Sequence, residues 1–123
     1  MAAECNVSII CEVTGLGKNL NFCEKFAITT APTKALYHYM EQATKNADEA
    51  LELGDVATEG LLVIKCVSND VYLDLDYDDA TFDSDLTIKE GECAVIPLPA
   101  GTIRFEAVSA EELSTIEYLL VGT

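Results

Sequence analysis

The sequence predicts an all-β fold, a single antiparallel β-sandwich of jelly-roll or other Greek-key type with little helix, and three observations carry that prediction. Short runs rich in Val, Ile, Leu, Tyr and Phe recur along the whole chain. Gly, Pro, Asn and Asp interrupt them every ~8–12 residues, the spacing of sandwiches and barrels. The regular helix-then-strand alternation of a parallel α/β sheet is missing.

Taken in order, "NVSIICEVT" reads as a first strand, closed by the turn "GLGKN". "LNFCEKFAITT" alternates at Leu20 and Phe22 and again at Phe26 and Ile28, with "APT" ending it. "GLLVIKCVS" has a strongly apolar interior and precedes "VYLDLDY". Between those two, Ser68-Asn69-Asp70 is a hairpin signal, because Asn and Asp tolerate turn dihedrals. "LTIKEGECAVIPLPAGTIRFEAV" supplies three further runs, broken at Glu90-Gly91 and at Pro99-Ala100-Gly101, and "STIEYLLVGT" closes the chain. Ile9, Phe22, Leu62, Ile64, Leu75, Ile96, Phe105 and Leu119 are the expected core.

The segment "KALYHYMEQATKNADEALEL" admits two readings. Leu36, Tyr39 or Met40, Ala43, Ala47, and Ala50 or Leu51 fit a helical stripe, and Ala, Glu, Lys and Leu favour helix. Against this, Leu36–Met40 is strand-like in composition, and Asn46-Ala47-Asp48 suits a turn between two strands.

One domain, 1–123, is expected from a chain of this length, which is long enough to bury a single core. The charge balance is unusual: 7 Lys and Arg face 22 Asp and Glu, a formal net charge of -15. Direct binding to nucleic acid needs Lys and Arg against phosphate, so such acidity excludes it, and an anionic membrane surface likewise. Cys5, Cys11, Cys23, Cys66 and Cys93 are odd in number and lack a CxxC pair. They fit neither a disulfide framework nor a zinc site, and read as reduced core residues of a protein made in a reducing cytosol. The opening "MAAECNVSII" lacks the pattern of a signal peptide, and no apolar run approaches the ~20 residues of a membrane helix.

Chemistry is sparse. In "DLDYDDATFDSD", Asp74, Asp76, Asp78 and Asp85 occupy positions 1, 3, 5 and 12 of a calcium loop, with Asp79 where Gly makes the sharp turn and Asp where a bidentate Glu is usual. A strand explains more residues: Val71, Leu73, Leu75 and Tyr77 inward, with Asp74, Asp76 and Asp78 toward water at ~7 Å spacing, too wide for one ion without curvature. A weak surface cation would sit near 78–85, and no intrinsic metal or cofactor site is assigned. His38, the lone histidine, stands between Tyr37 and Tyr39 and reads as a packed structural residue. "GLG" at Gly15–Gly17 lacks the third glycine of a dinucleotide loop, and no nucleophile elbow or Walker loop is present. No catalytic residue is assigned, and the chain is read as a non-enzyme.

The stretches "EALELGDVATEGLLVIKCVSNDVYLDLDY" and "LTIKEGECAVIPLP…IRFEAVSAEELSTIEYLLVGT" resemble small accessory structural proteins of tailed bacteriophages. The resemblance runs over roughly residues 50–121, through Leu51–Val56, Glu90-Gly91-Glu92, Pro97-Leu98 and the final "EYLLV". It implies a virion structural subunit, made in the host cytoplasm, that acts through surfaces, so no site residues carry over. Decoration or cementing of the capsid is the expected role, with neck and fibre as other positions. The implied partners are further copies of itself, with a trimer favoured, and a major capsid or other virion protein. The resemblance also moves the ambiguous segment to two strands, Ala35–Ala43 and Ala50–Leu53. A reading from another class is a cytoplasmic ligand-binding sandwich with cation-assisted carbohydrate binding. Few aromatic residues, and no Trp, weigh against a sugar platform.

Overall fold

The computed structural model describes residues 3–97 and 102–123. The turn expected at Pro99-Ala100-Gly101, and Leu98 of the Pro97-Leu98 pair, lie outside the described residues. Among these described residues there are ten strands: β1 (Asn6–Val13), β2 (Leu20–Ala27), β3 (Lys34–Glu41), β4 (Glu49–Ala50), β5 (Glu59–Ser68), β6 (Val71–Tyr77), β7 (Leu86–Ile88), β8 (Cys93–Pro97), β9 (Thr102–Ala107) and β10 (Thr115–Gly122). Among the described residues there is no helix. Two four-stranded antiparallel sheets, β3-β10-β5-β8 and β4-β9-β6-β7, face each other, while β1 and β2 pair only with one another. Apart from the β6–β7 hairpin, successive strands from β3 onward alternate between the two sheets, and eight strands so ordered make a jelly roll.

The ambiguous segment is strand. Leu36, His38 and Met40 lie opposite Leu120, Tyr118 and Ile116 of β10, and Leu36 and Met40 pack against the core. Pairing along a central strand and burial of alternate side chains outweigh the helix propensity of Ala, Glu and Lys. Asn46 turns the chain toward β4 in a left-handed conformation, at φ 56°.

The hairpin expected at Ser68-Asn69-Asp70 is not one. Asn69 does take the turn conformation, at φ 60°, but β5 pairs with β10 and β8, whereas β6 pairs with β9 and β7. The turn is a corner between sheets, held by side chains. Asn69 donates from Nδ2 to the Leu113 carbonyl at 2.8 Å, and the Ser114 hydroxyl donates to the Asn69 and Asp70 carbonyls at 2.9 and 3.0 Å. The Cys66 thiol donates to the Asn69 carbonyl at 3.0 Å.

Leu62, Ile64, Leu73, Ile103, Phe105, Ile116, Tyr118 and Leu120 are buried between the sheets. Of the expected core, Leu62, Ile64 and Phe105 are fully buried, and Leu75 and Ile96 are half-buried at its edge. Ile9 and Leu119 belong instead to a second, smaller cluster around Val7, Leu61 and Val121, on the outer face of the β3-β10-β5-β8 sheet. Phe22 contradicts expectation, at 58% exposed, because its strand leaves the body of the protein. The cysteines also differ from their expected place. Cys66 is buried and Cys5 half-buried, but Cys11, Cys23 and Cys93 are exposed, since their strands have a face that the core does not cover. Burial, then the charges of Asp70 and Glu90, push the Cys66 thiol up to about 11, as expected of an inert structural cysteine.

Gln42, at the end of β3, ties the architecture together. Its Oε1 accepts from the backbone N–H of Ala107 at 2.9 Å and of Ser114 at 3.2 Å. Its Nε2 donates to the carbonyls of Thr44 at 3.0 Å and Ala47 at 2.9 Å. The side chain is buried, so removing it strands backbone groups away from water. Gln42→Leu should therefore lower unfolding stability by about 3 kcal/mol in a urea titration. A loss below about 0.5 kcal/mol would show that the backbone finds other partners.

Candidate functional site

Two features stand out from an otherwise ordinary sandwich: an acidic corner on one sheet and an apolar arm on the other. The corner begins where β6 breaks register with β9 between Asp74 and Tyr77. That irregularity bends the strand, and the loop after it folds back. Asp83 donates its backbone N–H to Asp74 Oδ2 at 2.9 Å, and Leu75 donates to Asp85 Oδ2 at 2.8 Å. Asp74 is consequently buried at 1% exposure, not turned to water as strand alternation implies. Its Oδ1 accepts from the Asp76 N–H at 3.2 Å. Oxygens of Asp74, Asp76 and Asp85 come within 4.8 Å of one another, closer than straight-strand spacing allows.

Asp78, the fourth acid of the loop pattern, is used differently. Its Oδ1 accepts from the backbone N–H of Ala80 at 3.1 Å and of Thr81 at 3.3 Å, and these bonds lower its pKa. Asp79, in the position that Gly fills in a calcium loop, adopts the left-handed turn at φ 66°. The sheet beside the corner carries the ion pair of Arg104 with Asp48, and the Arg104 guanidinium lies 4.8 Å from the centre of the Tyr77 ring. Each of the three carboxylates brings one oxygen to the cluster, fewer than the 6–8 that calcium prefers, and two of them already accept backbone hydrogen bonds.

The arm is the hairpin β1–β2, registered from Asn6 opposite Ala27 to Val13 opposite Leu20. Gly15 and Gly17, at φ 89° and 86°, turn its tip. One face alternates Val7, Ile9, Cys11 and Val13 with Phe26, Glu24, Phe22 and Leu20 across the ladder. Val7, with Ile9, Cys5 and Ile28, packs on the outer face of the β3-β10-β5-β8 sheet around Leu61 and Val121. Beyond that footing every residue from Ile10 to Ala27 is exposed. The sheet face continues past the arm as well: Tyr37 and Tyr39 are 66% and 58% exposed. Beside them lies an open depression of about 250 Å³, lined by Tyr37, Val63, Lys65, Cys93, Glu117 and Leu119. The Tyr37 hydroxyl donates to Glu117, which raises the pKa of the phenol.

His38 packs edge-on against Tyr118, ring centres 5.9 Å apart and planes at 77°, as a structural residue would. Tyr118 in turn donates its hydroxyl to the Glu52 carbonyl at 2.6 Å. Sequence reasoning placed the acidic residues on the correct strand but missed the arm, because its alternating Leu20, Phe22 and Phe26 resemble any half-buried strand.

No family model and no curated protein sequence matches the chain. Among solved structures, the cupin domain of Cnp3 from Schizosaccharomyces pombe is similar, with a TM-score of 0.43 and 10% identity, over 94% of this chain and 84% of that one. At that distance the strand order, rather than the neighbour, defines the fold. The molecule is a jelly-roll domain bearing an apolar arm.

The Asp85 carboxyl beside Asp76, through hydrogen bonding and repulsion, and then Asp74, raise the Asp76 pKa above the usual 3.8. The folded chain thus holds this proton more tightly than the unfolded chain. Its contribution to stability is present below the usual value and lost as pH rises through the raised one. Asp76→Asn should raise the melting temperature at neutral pH, and the gain should vanish below pH 3.8 in paired thermal scans. Calcium calorimetry at physiological salt should show binding no tighter than ~10⁻⁴ M. A micromolar isotherm abolished by the same substitution would overturn that expectation.

Proposed function

We infer that this chain is a non-enzymatic structural subunit that works by self-association and by docking on a larger protein. The single observation that carries the reading is the arm. A two-stranded hairpin is at best marginally stable in water, and this one exposes Phe22, Leu20 and Leu16 toward its outer end, with Phe26 nearer its footing. A patch of that kind marks an interaction site. The resemblance of residues 50–121 to accessory structural proteins of tailed phages gives the setting: a virion component assembled after synthesis in the host cytoplasm, decorating or cementing the capsid. Its partners there are further copies, in a closed symmetric oligomer such as a trimer, and the major capsid protein. The acidity is compatible with this arrangement when the Asp70–Asp85 side faces solvent, where it keeps particles apart.

A second reading, a cation-assisted carbohydrate-binding module, is favoured by the convergence of Asp74, Asp76 and Asp85 beside Tyr77.

The deciding experiment mixes the purified chain with expanded tailed-phage capsids and follows co-sedimentation and capsid melting. The expected result is saturable binding and capsids that withstand higher temperature or lower salt. A strict monomer that ignores capsids and binds a sugar in the presence of calcium would replace the virion reading with the second one.

A further inference from the structure

Within one molecule, the knob and the socket of an apolar interface are both present and are not in contact with each other. The knob is the arm tip. Phe22 stands opposite Cys11, two residues beyond Ile9, the last arm residue that packs on the body. Those two residues carry the Phe22 ring about 7 Å past the footing. The socket is the depression between Tyr37 and Cys93 on the outer face of the β3-β10-β5-β8 sheet, which the arm leaves open. At about 250 Å³ it accommodates an aromatic ring, since a cavity of ~150 Å³ binds benzene.

Resting on the assembly reading above, we propose that the arm of one copy lies across the outer sheet face of the next, seating Phe22 in the Tyr37–Cys93 depression. Three observations favour a second copy as the occupant. Continuity is the first: Val7 and Ile9 already bind this sheet face through the same side of the arm that carries Phe22 and Leu20, so the neighbour's arm would extend an existing packing mode.

Charge is the second. From Cys5 to Ala27 the arm holds Glu12 and Glu24 against Lys18 and Lys25, a net charge of zero on a chain of net charge -15. The socket face likewise balances Lys65 against Glu117. These are the surfaces on which two copies of so acidic a chain can touch without stacking like charges. The acidic corner lies on the opposite sheet.

Area is the third. Phe22, Phe26, Leu20 and Val13 on the arm and Tyr37 and Tyr39 on the sheet expose on the order of 600 Å² over the two sides of the contact, less than the ~1,600 Å² total of a standard stable interface and suited to a weak, concentration-dependent one. Because the arm and the sheet are different surfaces, the contact is heterologous, and repeated copies close into a ring when the rotation permits.

The test uses the full chain. Native protein should self-associate at tens of micromolar in sedimentation velocity. Phe22→Glu and Tyr37→Glu should each weaken association at least about tenfold, with unchanged melting of the sandwich. Mixed together, the two variants should regain a one-to-one complex, because one keeps the socket and the other the arm. A short bismaleimide should link Cys11 of one native molecule to Cys93 of another. A native chain that stays monomeric would overturn the proposal, as would variants whose mixture fails to recover the complex. Association that persists while capsids are ignored would support this contact and remove only the virion reading.

Discussion

The buried amide of Gln42 is the constraint on which the rest of the structure depends. It projects from the end of β3 to where the loop before β4, the end of β9 and the start of β10 converge, and it bonds four backbone groups across these three. Strands that alternate between two sheets leave N–H and C=O groups at each crossing that no ladder can satisfy. One side chain with two donors and two acceptors answers several of them together. Asn69 and Ser114 perform the same service at the adjoining corner. With the corners fixed, the two sheets close on Tyr118, Phe105 and the aliphatic residues around them.

Much of the sandwich was legible in the sequence. Alternating apolar runs and turn residues identify the strands, and Leu62, Ile64 and Phe105 are core for the reason their pattern suggests. What the pattern does not carry is partnership. The Asn69 turn looks the same whether the strands it joins pair with each other or part into different sheets. Likewise Phe22 has the signature of a buried residue, because the alternation records that a face is apolar and not what covers it. Asp74 shows a third limit. Its burial follows from a register break and a loop that folds back nine residues later, neither of which has a local signal.

The distribution of charge and apolar surface gives the molecule two different sides. One sheet presents the bent acidic strand, where carboxylates of Asp74, Asp76 and Asp85 gather and those of Asp74 and Asp85 accept backbone hydrogen bonds. The other presents the arm and the tyrosines of β3 on a nearly neutral background. Such polarity suits a subunit that must adhere on one side and repel on the other.

The position of β10 has a consequence for how the chain acquires its structure. This last strand lies between β3 and β5 and holds both through its ladder, so their sheet has a gap at its centre until residues 115–122 are available. On the ribosome the arm therefore emerges well before the strand that unites its supporting sheet. Until then β3 and β5 keep unpaired edges, and pairings so distant in sequence form slowly. A nascent chain of this kind is at greatest risk of adhering to its neighbours before completion, and its dense negative charge keeps such chains apart during that interval.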